Sequence, residues 1–133
     1  MIPKQPLLIC TDLDRTLIPN GAEPESPRAR DYFRQLAALP TITLAYVSGR
    51  DQTLVREAIH TYDLPLPDFV LGDVGATIYT CEQWDWQAWD AWANHIAHDW
   101  NGHSRAALAA LLQDFPLLQL QEASKQNTYK LSY

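Results

Sequence analysis

Residues 7–21 read LLICTDLDRTLIPNG. The apolar run Leu7-Leu8-Ile9-Cys10 has the length and continuity of a buried strand, predicted over residues 7–12. It runs into two carboxylates, Asp12 and Asp14, separated by one residue. An unpaired buried charge is costly, so acidic groups at the end of such a strand need a reason. In extended backbone, residues two apart point to one side, which brings the two carboxylates together and makes them repel. A hard divalent cation relieves that conflict, and Mg²⁺ takes oxygen ligands of this kind.

Outward from this stretch, Pro19, Asn20, Gly21 and Pro24 predict a loop over residues 13–25. Ser26-Pro27 then marks a helix start, with serine as the cap and proline in the first turn. Ala29, Tyr32, Phe33, Leu36 and Leu39 follow at helical spacing until Pro40. TITLAYVSGRD, residues 41–51, predicts a second strand leading into a Ser-Gly turn. Leu54, Val55, Ala58, Ile59 and Tyr62 mark one face of the next helix. FVLGDVGATIY, residues 69–79, begins as a third strand and is punctuated by Gly72 and Gly75. Strand, helix, strand, helix, strand implies an α/β fold with a three-stranded parallel sheet. In such sheets the ligand sits beyond the carboxyl ends of the strands. Asp12, Asp14, Ser48 and Gly72-Asp73 all fall there, Asp73 reading as a turn residue between two glycines.

After Tyr79 the composition changes. Residues 81–100 hold all five tryptophans. Trp89, Trp92, Ile96 and Trp100 fit one helical face, which reads as packing surface. Ser104 can cap a second helix carrying Ala107, Leu108, Leu111, Leu112 and Phe115. The tail from Leu117 predicts a two-stranded hairpin, with Tyr129, Leu131 and Tyr133 alternating against Lys130 and Ser132. His95, His98 and His103 have no cysteine or carboxylate completing a four-ligand zinc set nearby, so they read as a solvated helix face.

The chain of 133 residues is 47% hydrophobic, enough for a packed core. Its net charge of −6 argues against a nucleic-acid partner recruited by bulk charge. It does not exclude small anions, because a local site can oppose the global sign. Cys10 and Cys81 form no C-x-x-C pair and read as thiols of a reducing compartment. The first residues show no signal-peptide pattern, and no stretch is long and apolar enough for a membrane span, so a cytoplasmic location is expected.

The chemistry follows from the residue types. With Mg²⁺ present, one aspartate can attack a phosphoryl group and form an aspartyl-phosphate. The other can protonate the leaving oxygen and then activate water. Ser48-Gly49 lies at a strand-to-helix turn, where free backbone N–H groups attract an anion. The serine hydroxyl can donate to phosphate, and Gly49 allows close approach of the backbone. Arg50 is placed to contact phosphate or the rest of the substrate.

DLDRT resembles the D-x-D-x-T signature of the haloacid dehalogenase (HAD) superfamily, and VSGR resembles its second motif. TDLDRTL, YVSGR and PDFVLGDVGATIY are similar to the Cof-type and sucrose-phosphate-phosphatase branch. The resemblance implies a HAD-like, Rossmann-like half-core over residues 1–80 and the beginning of an α/β cap over residues 81–133. It implies Asp12 as nucleophile and Mg²⁺ ligand. Asp14 becomes the acid/base, giving its backbone carbonyl to the metal, and Ser48 a phosphate ligand. Arg15 departs from the pattern, where glycine or asparagine is common. The third-motif lysine and fourth-motif acidic pair of the superfamily have no counterpart in these 133 residues, so the resemblance spans about the first half of the family. Two expectations follow. The chain is a Mg²⁺-dependent phosphatase of a sugar phosphate or similar small metabolite, very weak when alone. Alternatively it is a catalytically incomplete fragment that acts by self-association. Open strand edges beside β-strand 7–12 and at residues 129–133 would make it a homodimer.

Overall fold

The computed structural model describes residues 5–133. Five strands form one sheet in sequence order: β1 (Leu7–Thr11), β2 (Ile42–Val47), β3 (Phe69–Gly72), β4 (Thr77–Glu82) and β5 (Asp85–Ala88). The first three run parallel, with Ile9 opposite Leu44 and Tyr46 opposite Val70. α1 (Ala29–Ala37) and α2 (Gln52–Tyr62) make the two crossovers. This is the α/β arrangement that the strand-helix order implies. β4 and β5 then extend the sheet antiparallel. The hairpin straddles residue 80.

The core lies where α2 covers the sheet. Val55, Ala58 and Ile59 of α2 are buried with Leu44, Tyr46, Val70, Leu64 and Trp86. Leu13 and Ile18, from the loop after β1, complete it at 0% and 1% exposure. The Tyr46 hydroxyl, deep in this core, donates to the Pro65 carbonyl at 2.7 Å. That bond satisfies the one polar atom its ring brings inside. α2 starts at Asp51, whose carboxylate accepts from the Leu54 N–H at 2.9 Å.

Three expectations change. β1 lies at the sheet edge, as the open edge expected beside it implies, but it is not the buried strand its apolar run predicts, with Leu7 50% and Leu8 62% exposed. Its apolar run is that of a strand flanked on both sides, yet β2 is its one neighbour among the described residues. α1 starts at Ala29, not at Ser26-Pro27. Arg28 sits left-handed (φ 62) just before it, so the serine-proline pair forms the preceding turn. The tail holds no strand: residues 117–133 contain a 3₁₀ turn, Ala123–Lys125, and an isolated bridge between Asn127 and Lys130. A lone hairpin is marginal in water. Here the Gln126 side chain takes the part of a neighbouring strand. Its amide donates to the Ser132 carbonyl and accepts from the Ser132 N–H, each at 2.8 Å.

The chain divides into two compact units, the first ending at Ala88 and the second running Trp89–Tyr133. The second contains α3 (Asp90–Trp100) and α4 (Arg105–Leu111). Ser104 caps α4, accepting from the Ala107 N–H at 3.1 Å. Trp92 stacks on His95, and Trp100 meets Tyr129 edge-on. His95, His98 and His103 are exposed. Among the described residues no helix is long and apolar enough to cross a membrane, and no three His, Cys, Asp or Glu side chains form a metal-holding group.

Candidate active site

The site stands at the carboxyl ends of the parallel strands. β1 ends at Thr11, and the chain turns at once: the N–H groups of Thr16, Leu17 and Ile18 all return to the Leu13 carbonyl. Leu13 is the anchor, fully buried between the two aspartates. Extended geometry therefore stops before Asp14, and the two carboxylates take different partners. Asp12 is exposed, and its Oδ1 accepts from the Leu13 N–H at 2.6 Å. It lines an open cleft of about 580 Å³ together with Cys10, Thr11, Ser48, Gly49 and Val74.

Asp14 turns to Arg50, thirty-six residues further along the chain. Arg50 Nε donates to its Oδ2 at 2.9 Å, and Nη2 donates to Oδ1 at 2.7 Å. Asn20 Nδ2 adds a bond to Oδ1 at 2.6 Å. The Arg50 guanidinium holds the Asp14 carboxyl below the usual carboxylate range; burial opposes this and Asn20 reinforces it. So the repulsion expected between two neighbouring carboxylates is relieved, at Asp14, by an arginine. Asn20 also accepts the Arg15 N–H at 2.8 Å. Arg15 is left-handed (φ 59), which is the conformation glycine or asparagine accepts most readily.

Ser48 follows β2 and is 5% exposed. Its N–H donates to the Leu71 carbonyl at 2.9 Å, and its Oγ accepts from the Arg50 N–H at 3.2 Å. The hydroxyl proton remains available to donate into the cleft. Just beyond lies the N-terminus of α2, whose first N–H groups suit an anion. Gly72 makes the junction possible: a Cβ there would stand 3.0 Å from the Arg50 carbonyl, which accepts the Asp73 N–H at 2.9 Å.

Of the residues singled out in the sequence, Asp12, Ser48 and Gly49 therefore share one cleft, and Asp14 and Arg50 pair with each other beside it. Asn20 was read as no more than a turn residue. Its role as a second donor to Asp14 has no periodic signature, although an Asn-Gly six residues after the acidic pair is the clue that could have found it. In the second unit, the Gln126 amide is engaged by the backbone of Gln121 and Ser132 rather than held open for a ligand.

For a metal, the available donors are hard oxygens. The Asp12 carboxylate is exposed with one main-chain bond, and the Asp14 carboxylate is already neutralised. Donors of this kind suit Mg²⁺, which the Asp12 carboxylate and, as the resemblance implies, the Asp14 main-chain carbonyl would hold.

Comparison with known proteins is consistent along the whole chain. Residues 5–133 match the family model described as sucrose-6F-phosphate phosphohydrolase. A protein of Nitrosococcus oceani described as a HAD-like hydrolase is 55% identical over 130 residues, 98% of this chain and 35% of that protein. The sucrose-phosphatase of Synechocystis, solved with sucrose and phosphate, superposes with a TM-score of 0.76 at 27% identity, over 96% of this chain and 48% of that one. A haloacid dehalogenase-like hydrolase of Bacillus subtilis shares the fold, with a TM-score of 0.61 at 16% identity over 84% of this chain and 50% of that one. The chain thus spans half or less of the length of these relatives. It belongs to the sucrose-6F-phosphate phosphohydrolase family of HAD-like hydrolases.

Proposed function

We propose that the chain carries the nucleophile-bearing part of a Mg²⁺-dependent, cytoplasmic phosphomonoesterase acting on a sugar phosphate or a similar small phosphorylated metabolite. One observation carries this reading: in a chain of this family, Asp12 from one strand end and Ser48 from the next line a single cleft. The neighbour solved with sucrose and phosphate supports the sugar-phosphate class.

In this reading an Asp12 carboxylate oxygen attacks phosphorus, the bond from phosphorus to the leaving oxygen breaks, and an aspartyl-phosphate remains. Ser48 and the first N–H groups of α2 hold the phosphoryl oxygens. Bound Mg²⁺ supplies charge neutralisation at those oxygens. Asp14 is the group that would take a proton from the water that hydrolyses the aspartyl-phosphate, and because Arg50 lowers its proton affinity, that pairing would have to open first. That proton is the one the next leaving oxygen requires. Residues 81–133 would begin the α/β cap domain of this family.

Ser48→Ala tests the phosphate contact. A hydrogen bond to a charged group contributes about 1.5–3 kcal/mol, so kcat/KM falls roughly ten- to hundredfold, with KM raised. Unchanged kinetics would put the phosphate elsewhere.

The second reading, self-association, is favoured by one specific feature: among the described residues β1 has no neighbour on its outer edge, and Leu7 and Leu8 are exposed. Open apolar edges recruit strands. Sedimentation at micromolar concentration then gives a dimer mass, and Leu8→Lys returns it to monomer. A monomer throughout would remove this reading.

A further inference from the structure

The turn that closes the cleft has three successive residues in the left-handed region: Asp73 (φ 55), Val74 (φ 60) and Gly75 (φ 85). Glycine adopts that region freely, whereas a β-branched residue there is an outlier. Gly75 follows the rule. Asp73 is buried, 7% exposed. Val74 is 77% exposed, so its isopropyl group recovers little from burial. Nor do the hydrogen bonds of the turn require valine. Val74 enters them through its main chain: Asp73 N–H donates to the Arg50 carbonyl, Val74 N–H to the Ser48 carbonyl at 3.3 Å, and Ala76 N–H to the Asp73 carbonyl at 3.2 Å. Neither packing nor backbone geometry accounts for this side chain.

Its position does. Val74 lines the cleft with Asp12, Ser48 and Gly49. Its Cγ2 is 3.8 Å from where a Cβ on Gly49 would stand, an ordinary contact distance. Gly49 is not left-handed, and protein atoms leave room for a methyl group there. Glycine at 49 therefore keeps open a space bounded by Ser48 on one side and an isopropyl group on the other.

We infer that Val74 is a specificity-determining residue: its isopropyl group forms an apolar wall for the carbon skeleton of a phosphate ester whose phosphate is held at Ser48. The inference rests on the phosphatase reading above. It selects esters whose alcohol presents C–H surface close to the phosphate, as the face of a sugar ring does. Orthophosphate has no such surface and gains nothing from the wall. The strained turn is kept because it carries the side chain to that place.

Equilibrium binding separates the possibilities, measured by NMR titration with Mg²⁺ on the 133-residue chain, with sucrose 6F-phosphate and orthophosphate as probes. Val74→Gly relieves the left-handed residue, so the melting temperature rises by about 2–6 °C. It weakens the ester about five-fold and moves orthophosphate less than twofold. Val74→Thr keeps the branched shape and the backbone demand but wets the wall. It weakens the ester without the rise in melting temperature. Ester affinity unchanged in both variants, or a melting temperature lowered by Val74→Gly, overturns the inference and leaves the phosphatase reading standing. Failure of the wild-type chain to bind orthophosphate, or orthophosphate binding indifferent to Ser48→Ala, overturns that reading and the inference with it.

Discussion

In a form of the protein that spans the full length of its relatives, Asp12→Asn reduces Mg²⁺-dependent hydrolysis of 4-nitrophenyl phosphate to background, a loss of about 10³-fold or more. The amide is a poor nucleophile, and without its charge it is also a poor ligand for a cation. The fold should not notice the change. Asp12 is exposed, and its hydrogen bond is to the Leu13 N–H, which the amide oxygen can accept equally well. Far-ultraviolet circular dichroism and the melting temperature are expected to match those of the wild type within about 2 °C. Activity within tenfold of wild type would remove Asp12 from the nucleophilic role. An aryl phosphate is the right probe because its leaving group needs little protonation. The measurement then reports Asp12 rather than Asp14.

That separation of the two aspartates was hidden in the sequence. The parallel half of the sheet was legible, because strand-helix alternation leaves few topologies and places Asp12 and Ser48 at adjacent strand ends. The pairing of Asp14 with Arg50 was not. The partners lie thirty-six residues apart, and nothing local distinguishes an arginine aimed at substrate from one aimed at a carboxylate. The period-two argument that placed both carboxylates on one side assumed extended backbone through residue 14. The strand stops at Thr11, because burial of Leu13 draws the chain into a turn. The predicted hairpin in the tail failed for a related reason. Alternation at Tyr129, Leu131 and Tyr133 describes what a strand would look like if an edge were beside it, and Gln126 provides the backbone partners instead. The burial of β1 likewise could not be read from its composition. The run LLIC looks the same with one neighbouring strand or two.

The hairpin β4–β5 gives the second large effect. The helical face read from the sequence took in Trp89, Trp92 and Trp100 and left Trp84 and Trp86 without an element, yet QWDWQA already alternates with a period of two. The turn at Gln83, left-handed at φ 56, folds the strand back and sends its two tryptophans different ways. Trp86 is 7% exposed and joins the core. Its ring lies 4.4 Å beneath the Arg56 guanidinium and 6.3 Å from Tyr79, and its indole N–H donates to the Gln83 carbonyl at 3.0 Å. Trp84 is 46% exposed. Trp86→Ala should therefore cost about 3–5 kcal/mol: it empties a large core site and leaves Arg56 without its aromatic partner. For a unit of this size, that lowers the melting temperature by roughly 12 °C or more. Trp84→Ala, two residues away and chemically identical, should change stability by less than about 1 kcal/mol. Thermal unfolding followed by circular dichroism measures both. Equal destabilisation by the two substitutions would mean that the hairpin does not present Trp86 to the core.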